Sequence, residues 1–191
     1  MAGVTLEFDN AAALAAIQAA ADAMGDPEPM LHDMGQYLLA STEDRFKSQS
    51  APDGSAWQAL SPRYQRSKKK NRDKILTLDG YLGGHLAFQV NGSELLVGSN
   101  RKYAAIHQFG GEIQQQARER EVFFKQDQRS GEIGNRFVKK AKSNFAQRVQ
   151  IGAYSIRIPA RPFLGTSSQD DDELLQLAQD FLSQALSDGA A

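Results

Sequence analysis

Cysteine is missing from the 191-residue chain, which excludes disulfides, thiolate metal sites, iron–sulfur clusters and cysteine nucleophiles together. No apolar run approaches the roughly 20 residues that cross a bilayer, and no basic stretch followed by an apolar one opens the chain. No membrane contact is therefore expected, and synthesis in the cytoplasm is. Histidine is scarce: none of His32, His85 and His107 is followed at i+3 or i+4 by a second histidine or a carboxylate, the spacing of a helical metal site. A G-x-S-x-G turn, a phosphate loop and a dinucleotide fingerprint are also lacking. These gaps remove the familiar helical metal-site, serine-hydrolase, phosphate-loop and dinucleotide patterns, and no cofactor or metal is expected. For His107 a hydrogen-bonded structural role is favoured over a catalytic one.

What is present is an ordinary soluble composition, 41% hydrophobic and 24% charged, long enough for one core. The expected organisation is one domain over 1–191, with 114–150 an extended arm or long hairpin insertion. The formal net charge of −1 conceals a segregation of sign. The first 44 residues contain eight acids and no Lys or Arg; Arg63 to Lys74 holds seven bases against Asp73 alone; a second basic region runs from Arg118 to Arg148; beyond Arg161 there are six acids and no base. Such blocks are solvated faces or interaction segments. Arg63, Arg66, Lys68, Lys69 and Lys70, with Tyr64 interleaved, are candidates for phosphate contacts and give the alternative of a DNA-binding accessory protein.

Asp9 or Asn10 caps a predicted first helix whose apolar face is Leu14, Ile17, Ala21 and Met24, ended by Gly25. Asp26-Pro27-Glu28-Pro29 turns the chain into a second helix bearing Met30, Met34, Leu38 and the aliphatic stem of Arg45 on one face, toward Phe46. Pro52-Asp53-Gly54 is a turn signal just ahead of Trp57, which reads as a packing anchor. A short helical segment is expected through Tyr81 and Leu82. Phe88–Val90 and Leu95–Val97 flank Asn91-Gly92, a hairpin signal, whereas 114–148 shows little periodicity apart from Val122-Phe123-Phe124. Ile151, Tyr154, Ile156 and Ile158 form a strand interrupted at Gly152, and a last helix from Asp170 to about Leu186 opens on four acids. The fold class is α+β: two N-terminal helices and one C-terminal helix around a small antiparallel sheet, with a long basic loop or arm.

Three strings in fixed order carry further information. They are Pro52-Asp53-Gly54 with Trp57 and Leu60-Ser61-Pro62; Tyr103-Ala104-Ala105-Ile106-His107-Gln108-Phe109-Gly110-Gly111; and Ile158-Pro159-Ala160-Arg161-Pro162-Phe163-Leu164-Gly165. Ile75 to Leu82 lies between the first two. Over about residues 30 to 185 the chain resembles the phage virion morphogenesis family, which includes the tail-completion proteins of contractile-tailed temperate phages and the G protein of Mu-like phages. It departs from the family pattern at Gly83-Gly84-His85.

The resemblance implies a structural virion protein at the neck, which completes the tail and permits a stable head–tail joint, with a tail terminator capping the tube as the alternative. It implies a homo-oligomeric ring, a hexamer matched to the tail tube. Its neighbours would be the tube or terminator and the head-connector proteins, phage DNA would pass through it, and it would be assembled in the host cytoplasm. No catalytic residue comes with the family, so the resemblance implies that the protein is not an enzyme. Trp57, Tyr103, His107, Gln108, Phe109, Gly110, Gly111, Pro162 and Phe163 become structural motif residues, with Gly110 and Gly111 turning the chain after a buried aromatic. Arg118, Arg120, Lys139, Lys140 and Arg161 become candidates for a subunit or partner interface.

Overall fold

The structure, a computed structural model, describes residues 11–189; the expected cap at Asp9 or Asn10 lies outside them. The chain divides into two units, one comprising the chain up to Gly110 together with Pro159 onward, the other Gly111–Ile158.

In the first unit, α1 (Ala11–Gly25) is followed after a two-residue turn by α2 (Glu28–Ser48), with Pro29 in its first turn. The far end of α2 is closed by Gln49 in the left-handed conformation, φ 59°, whose N–H donates to the Arg45 carbonyl. Gln49 also ties down two later segments: its carbonyl accepts from Trp57 N–H at 2.9 Å and its side-chain oxygen from Ile75 N–H at 2.5 Å. A short α3 (Pro62–Ser67) realises the Leu60-Ser61-Pro62 string, with the Ser61 hydroxyl accepting from Tyr64 N–H and Pro62 in the first turn. The helix expected through Tyr81 and Leu82 is a turn leading into a single 3₁₀ turn at Gly83–His85. The departure at Gly83 has a packing reason, since a Cβ there would lie 3.1 Å from the Phe46 ring.

β1 (Leu86–Asn91) and β2 (Glu94–Ser99) pair antiparallel with Asn91 opposite Glu94. The hairpin loop is therefore Gly92-Ser93, one residue beyond the expected Asn91-Gly92. Only Gly92 has positive φ (59°), as a type II′ turn requires and a type I′ turn does not. α4 (Ala104–Phe109) and α5 (Ser168–Gly189) complete the unit, with α5 packing on α1 and α2. Ser167 and Asp170 form a reciprocal capping box at the head of α5: the Ser167 hydroxyl accepts from Asp170 N–H, and the Asp170 carboxylate accepts from Ser167 N–H. The core gathers Phe46, Ala51, Trp57, Leu82, Ala104 and the fully enclosed Phe163, the Phe46 ring meeting Trp57 edge-on at 5.4 Å and Phe163 at 5.5 Å.

The second unit is a long antiparallel ribbon. β3 (Gly111–Gln115) pairs with β6 (Tyr154–Ile158), and β4 (Arg118–Phe124) with β5 (Phe145–Ile151). Both long strands break for two residues, at Gln116-Ala117 and at Gly152-Ala153, so the interruption expected at Gly152 has a counterpart across the ladder. At the tip, Asp127 accepts from the N–H groups of Arg129 and Ser130. Asn144 exchanges two hydrogen bonds with the Gln126 backbone, lacing the strands together there. The segment that shows no helical or strand period in sequence thus holds the whole of β4 and the start of β5. Four consecutive charged residues, Arg118 to Glu121, precede the apolar Val122-Phe123-Phe124, so β4 shows no alternation in sequence.

Candidate functional site: a buried polar corner where the motifs meet

Phe163 brings the three strings together. Its ring fills the core, and the backbone on either side is held by polar side chains from elsewhere in the unit. The Pro52-Asp53-Gly54 turn, in which Asp53 accepts from the N–H and hydroxyl of Ser55, sets Trp57 so that its indole N–H donates to the Pro162 carbonyl at 2.7 Å. Gln108, on α4, acts as a clamp. Its carbonyl oxygen accepts from the N–H groups of Phe163 (2.9 Å) and Leu164 (3.0 Å), while its amide donates to the Leu164 carbonyl at 2.9 Å. A side chain that offers both donor and acceptor here satisfies main-chain groups that no strand pairs.

Arg45 and Asp170 complete the corner. Arg45 donates to the carbonyls of Gly165 (2.6 Å) and Phe163 (3.2 Å) and forms an ion pair with Asp170, both side chains being buried. Asp170 also accepts from the hydroxyls of Ser41 (2.5 Å), Tyr37 (3.1 Å) and Ser167 (2.7 Å). Burial opposes its ionisation, yet the hydrogen bonds from Ser41 and Ser167 and the charge of Arg45 hold the carboxyl at about 2. The acids at the head of α5 are expected from sequence to be dipole partners; Asp170 is instead a buried anion with its own cation.

Several expected sites are corrected. Arg161, expected at a subunit boundary, is buried: its guanidinium donates to the carbonyls of Gln58 (2.8 Å) and Ala59 (3.4 Å) and its N–H to the His107 carbonyl. The prolines on either side keep this stretch extended, so the side chain reaches back across the unit rather than outward. Phe109, expected to be a buried aromatic before the glycine turn, is 78% exposed, because α4 ends there and Gly110, at φ 71°, redirects the chain. Lys68, expected to contact phosphate, is buried, its ammonium donating to the carbonyls of Asn71 (2.5 Å), Thr77 (2.7 Å) and Lys74. Burial lowers its pKa. It organises the basic loop from inside.

Of the other expected residues, Arg63 and Arg66 are exposed on α3, Lys69 is exposed, and Lys70 pairs with Asp79 at 3.0 Å. Tyr103 is 42% exposed and meets His107 edge-on. His107 is half-buried with its Nδ1 enclosed and unpartnered, and burial, then the charge of Arg161, lowers its pKa. The hydrogen-bonded ring expected of it is thus missing at Nδ1. In the second unit Arg118 and Arg120 are exposed on β4, and Lys139 and Lys140 are exposed near the tip, the Lys140 ammonium lying 5.9 Å from the Phe123 ring centre. Gly111 opens β3. Among the described residues no cluster of His, Asp and Glu is arranged to hold a metal ion, and no helix is long and apolar enough to cross a membrane. The residues that sequence reasoning missed are Asp170 and Gln49; the only signal for either was Ser167 three residues ahead of Asp170, the capping-box spacing.

The three motif strings converge on one stretch of main chain, and the sequence comparisons say which protein family carries them. The chain belongs to the phage virion morphogenesis family, whose profile matches residues 8–183. It is 33% identical over 115 residues, 56% of this chain and 74% of the relative, to protein G of Escherichia phage Mu, whose name assigns it provisionally to capsid assembly. It is 24% identical over 179 residues, 93% of this chain and 95% of the relative, to the Mu-like prophage FluMu G protein 2 of Haemophilus influenzae. No solved structure matches the chain.

Proposed function

We propose that this protein is a non-enzymatic structural component of a tailed phage, forming a ring at the head–tail joint that completes the tail and permits stable joining to the DNA-filled head. The observation that carries the reading is the fate of the family motifs. Trp57, Gln108 and Arg161, the polar members of the three strings best placed for chemistry, are all spent on backbone carbonyls and N–H groups of their own unit. The motifs therefore preserve a shape, as a ring component needs, rather than a reaction centre. The surface supports the same reading. Among the described residues six apolar side chains are buried, while thirteen large hydrophobic ones, led by Phe109 and Phe137, are exposed. Apolar surface on that scale suits a chain that works in contact with partners.

In this reading the ring is a hexamer between the tail tube or its terminator and the head connector, assembled in the host cytoplasm and retained in the virion. Capsid assembly, the role in the name of the Mu relative, is in keeping with a part in joining head to tail. The exposed cations Arg63, Arg66 and Lys69, which have no carboxylate partner among the described residues, favour contact with the phosphates of DNA passing through the ring.

Electron microscopy of particles made without the protein tests the proposal. Full heads separated from tails, or tails of abnormal length, are expected; joined, infectious particles would refute it. Tube length separates the two neck roles: tails of normal length that fail to join mark a completion protein, and overlong tubes mark a terminator.

A further inference from the structure

The two faces of the β4–β5 ribbon differ in charge and in apolar content. Residues directly opposite in an antiparallel ladder share a face. The register therefore puts Arg118, Arg120, Val122 and Phe124 on one face with Ile151, Val149, Gln147 and Phe145, and puts Glu119, Glu121 and Phe123 on the other with Gln150, Arg148 and Ala146. On the second face the charges are matched: Arg148 lies 3.8 Å from Glu121, and Gln150 donates to Glu119. On the first face Arg118 and Arg120 have no carboxylate partner among the described residues and sit beside a row of five apolar side chains, Val122, Phe124, Phe145, Val149 and Ile151, each only partly buried. The Phe137 ring, 74% exposed, extends that row from its place 5.1 Å from Phe124. Within its unit the ribbon is two strands wide with no third layer, an arrangement of marginal stability in water unless its apolar face is covered. The unit carries ten bases against five acids, a net charge of +5.

One surface of the first unit is its complement. α5 carries six acids and no base. Leu175 and Leu186 are 59% and 44% exposed, and three helical turns apart they lie within about 20° of each other around the axis. Asp171 and Asp172, both exposed, stand one turn ahead of Leu175 on the same side. An apolar stripe headed by two carboxylates thus matches, in sign and in pattern, an apolar row headed by two arginines.

We infer that the face of the ribbon bearing Arg118, Arg120, Val149 and Ile151 seats on the Asp171, Asp172, Leu175 face of α5 in a neighbouring copy of this chain. The inference rests on the proposed ring and names the contact that closes it. The two patches differ, so the contact is head-to-tail and propagates around an axis instead of ending in a two-fold pair. Its charged border steers docking and is weakened by salt, while the apolar row supplies the covered layer that the ribbon lacks.

A chain without cysteine allows a direct test. Gln147 lies on the ribbon face in question and Gln179 one turn beyond Leu175; both are exposed and make no hydrogen bond that the fold depends on. Particles are made from a mixture of Gln147→Cys and Gln179→Cys chains and oxidised. A disulfide joining the two variants, necessarily between chains, is the expected result. Adding Asp171→Lys and Asp172→Lys to the Gln179→Cys chain should lower its yield about tenfold, and adding Arg118→Glu and Arg120→Glu to the other chain should restore it. Particles that contain the protein but give no such disulfide overturn the inference alone and leave the ring standing. So does a disulfide that forms only when both cysteines are on one chain. Joined particles from which the protein is absent overturn the ring reading and the inference with it.

Discussion

Arg45 and Asp170, 125 residues apart in sequence, form a buried ion pair that fastens α2 to the head of α5 at the corner where the family motifs meet. Neither charge stands alone: Arg45 also bonds two carbonyls of the Phe163–Gly165 stretch, and Asp170 three hydroxyls. Removing one partner leaves the other charge buried without its counter-ion, which costs about 3–5 kcal/mol. Asp170→Ala and Arg45→Ala should each lower the unfolding free energy by about that amount in urea titration. Arg45→Met combined with Asp170→Leu should cost less than the sum of the single changes, because no orphaned charge remains.

The same pair sets an acid limit. The Asp170 carboxyl is held at about 2 in the folded chain against an ordinary 3.8. A lowered carboxylate pKa contributes stability that is complete above about pH 4 and is lost as the pH falls from there through about 2. The expected contribution is about 2 kcal/mol. Thermal melts between pH 5 and pH 2 should show a fall in midpoint that is shallower in Asp170→Asn, which cannot ionise.

Gln108 makes three bonds to two consecutive residues, so its replacement separates shape from bonding. Gln108→Leu keeps the bulk but strands two N–H groups and a carbonyl and should cost about 2–4 kcal/mol. Gln108→Glu retains acceptors for the two N–H groups but sets a carboxylate oxygen against the Leu164 carbonyl, and should also destabilise. Loss of the slowest-exchanging amides at Phe163 and Leu164 in hydrogen exchange would localise the damage to the corner.

Phe109 makes the opposite prediction. At 78% exposure its ring contributes little to its own protomer, and Phe109→Ser should leave the melting temperature within about 2 °C of the parent. Incorporation into particles should nevertheless fall, measured as the ratio of assembled to free protein. A large loss of stability would show the ring to be part of the core.

Helical periodicity makes α2 and α5 readable, and the hairpin signal places β1 and β2 to within one residue at the turn. The ribbon is harder to read because neither half alternates cleanly: β3 carries one large apolar side chain, Ile113, and β4 runs four charged residues into the consecutive Val122, Phe123 and Phe124, so the pairing with β5 and β6 shows only in the folded chain. The corner presents a different obstacle: motif letters do not say whether a side chain faces inward. Lys68 and Arg161 read as partner contacts because cations are usually outside, yet each folds back onto carbonyls that local chain geometry leaves unpaired. Phe109 reads as core because aromatics usually lie there, and the end of α4 leaves it outside. For the two cations the deciding fact is where main-chain groups lack partners, and for Phe109 where a helix ends; both are properties of the folded chain rather than of its composition.

A cryo-electron-microscopy map of the neck of an intact particle tests most directly the proposal that copies of this chain form a ring at the head–tail joint. A closed ring of this chain between the head connector and the tail tube is expected, with the Trp57, Gln108 and Arg161 corner buried inside each protomer. A neck without the chain, or the chain found only in head precursors and absent from finished particles, would contradict it.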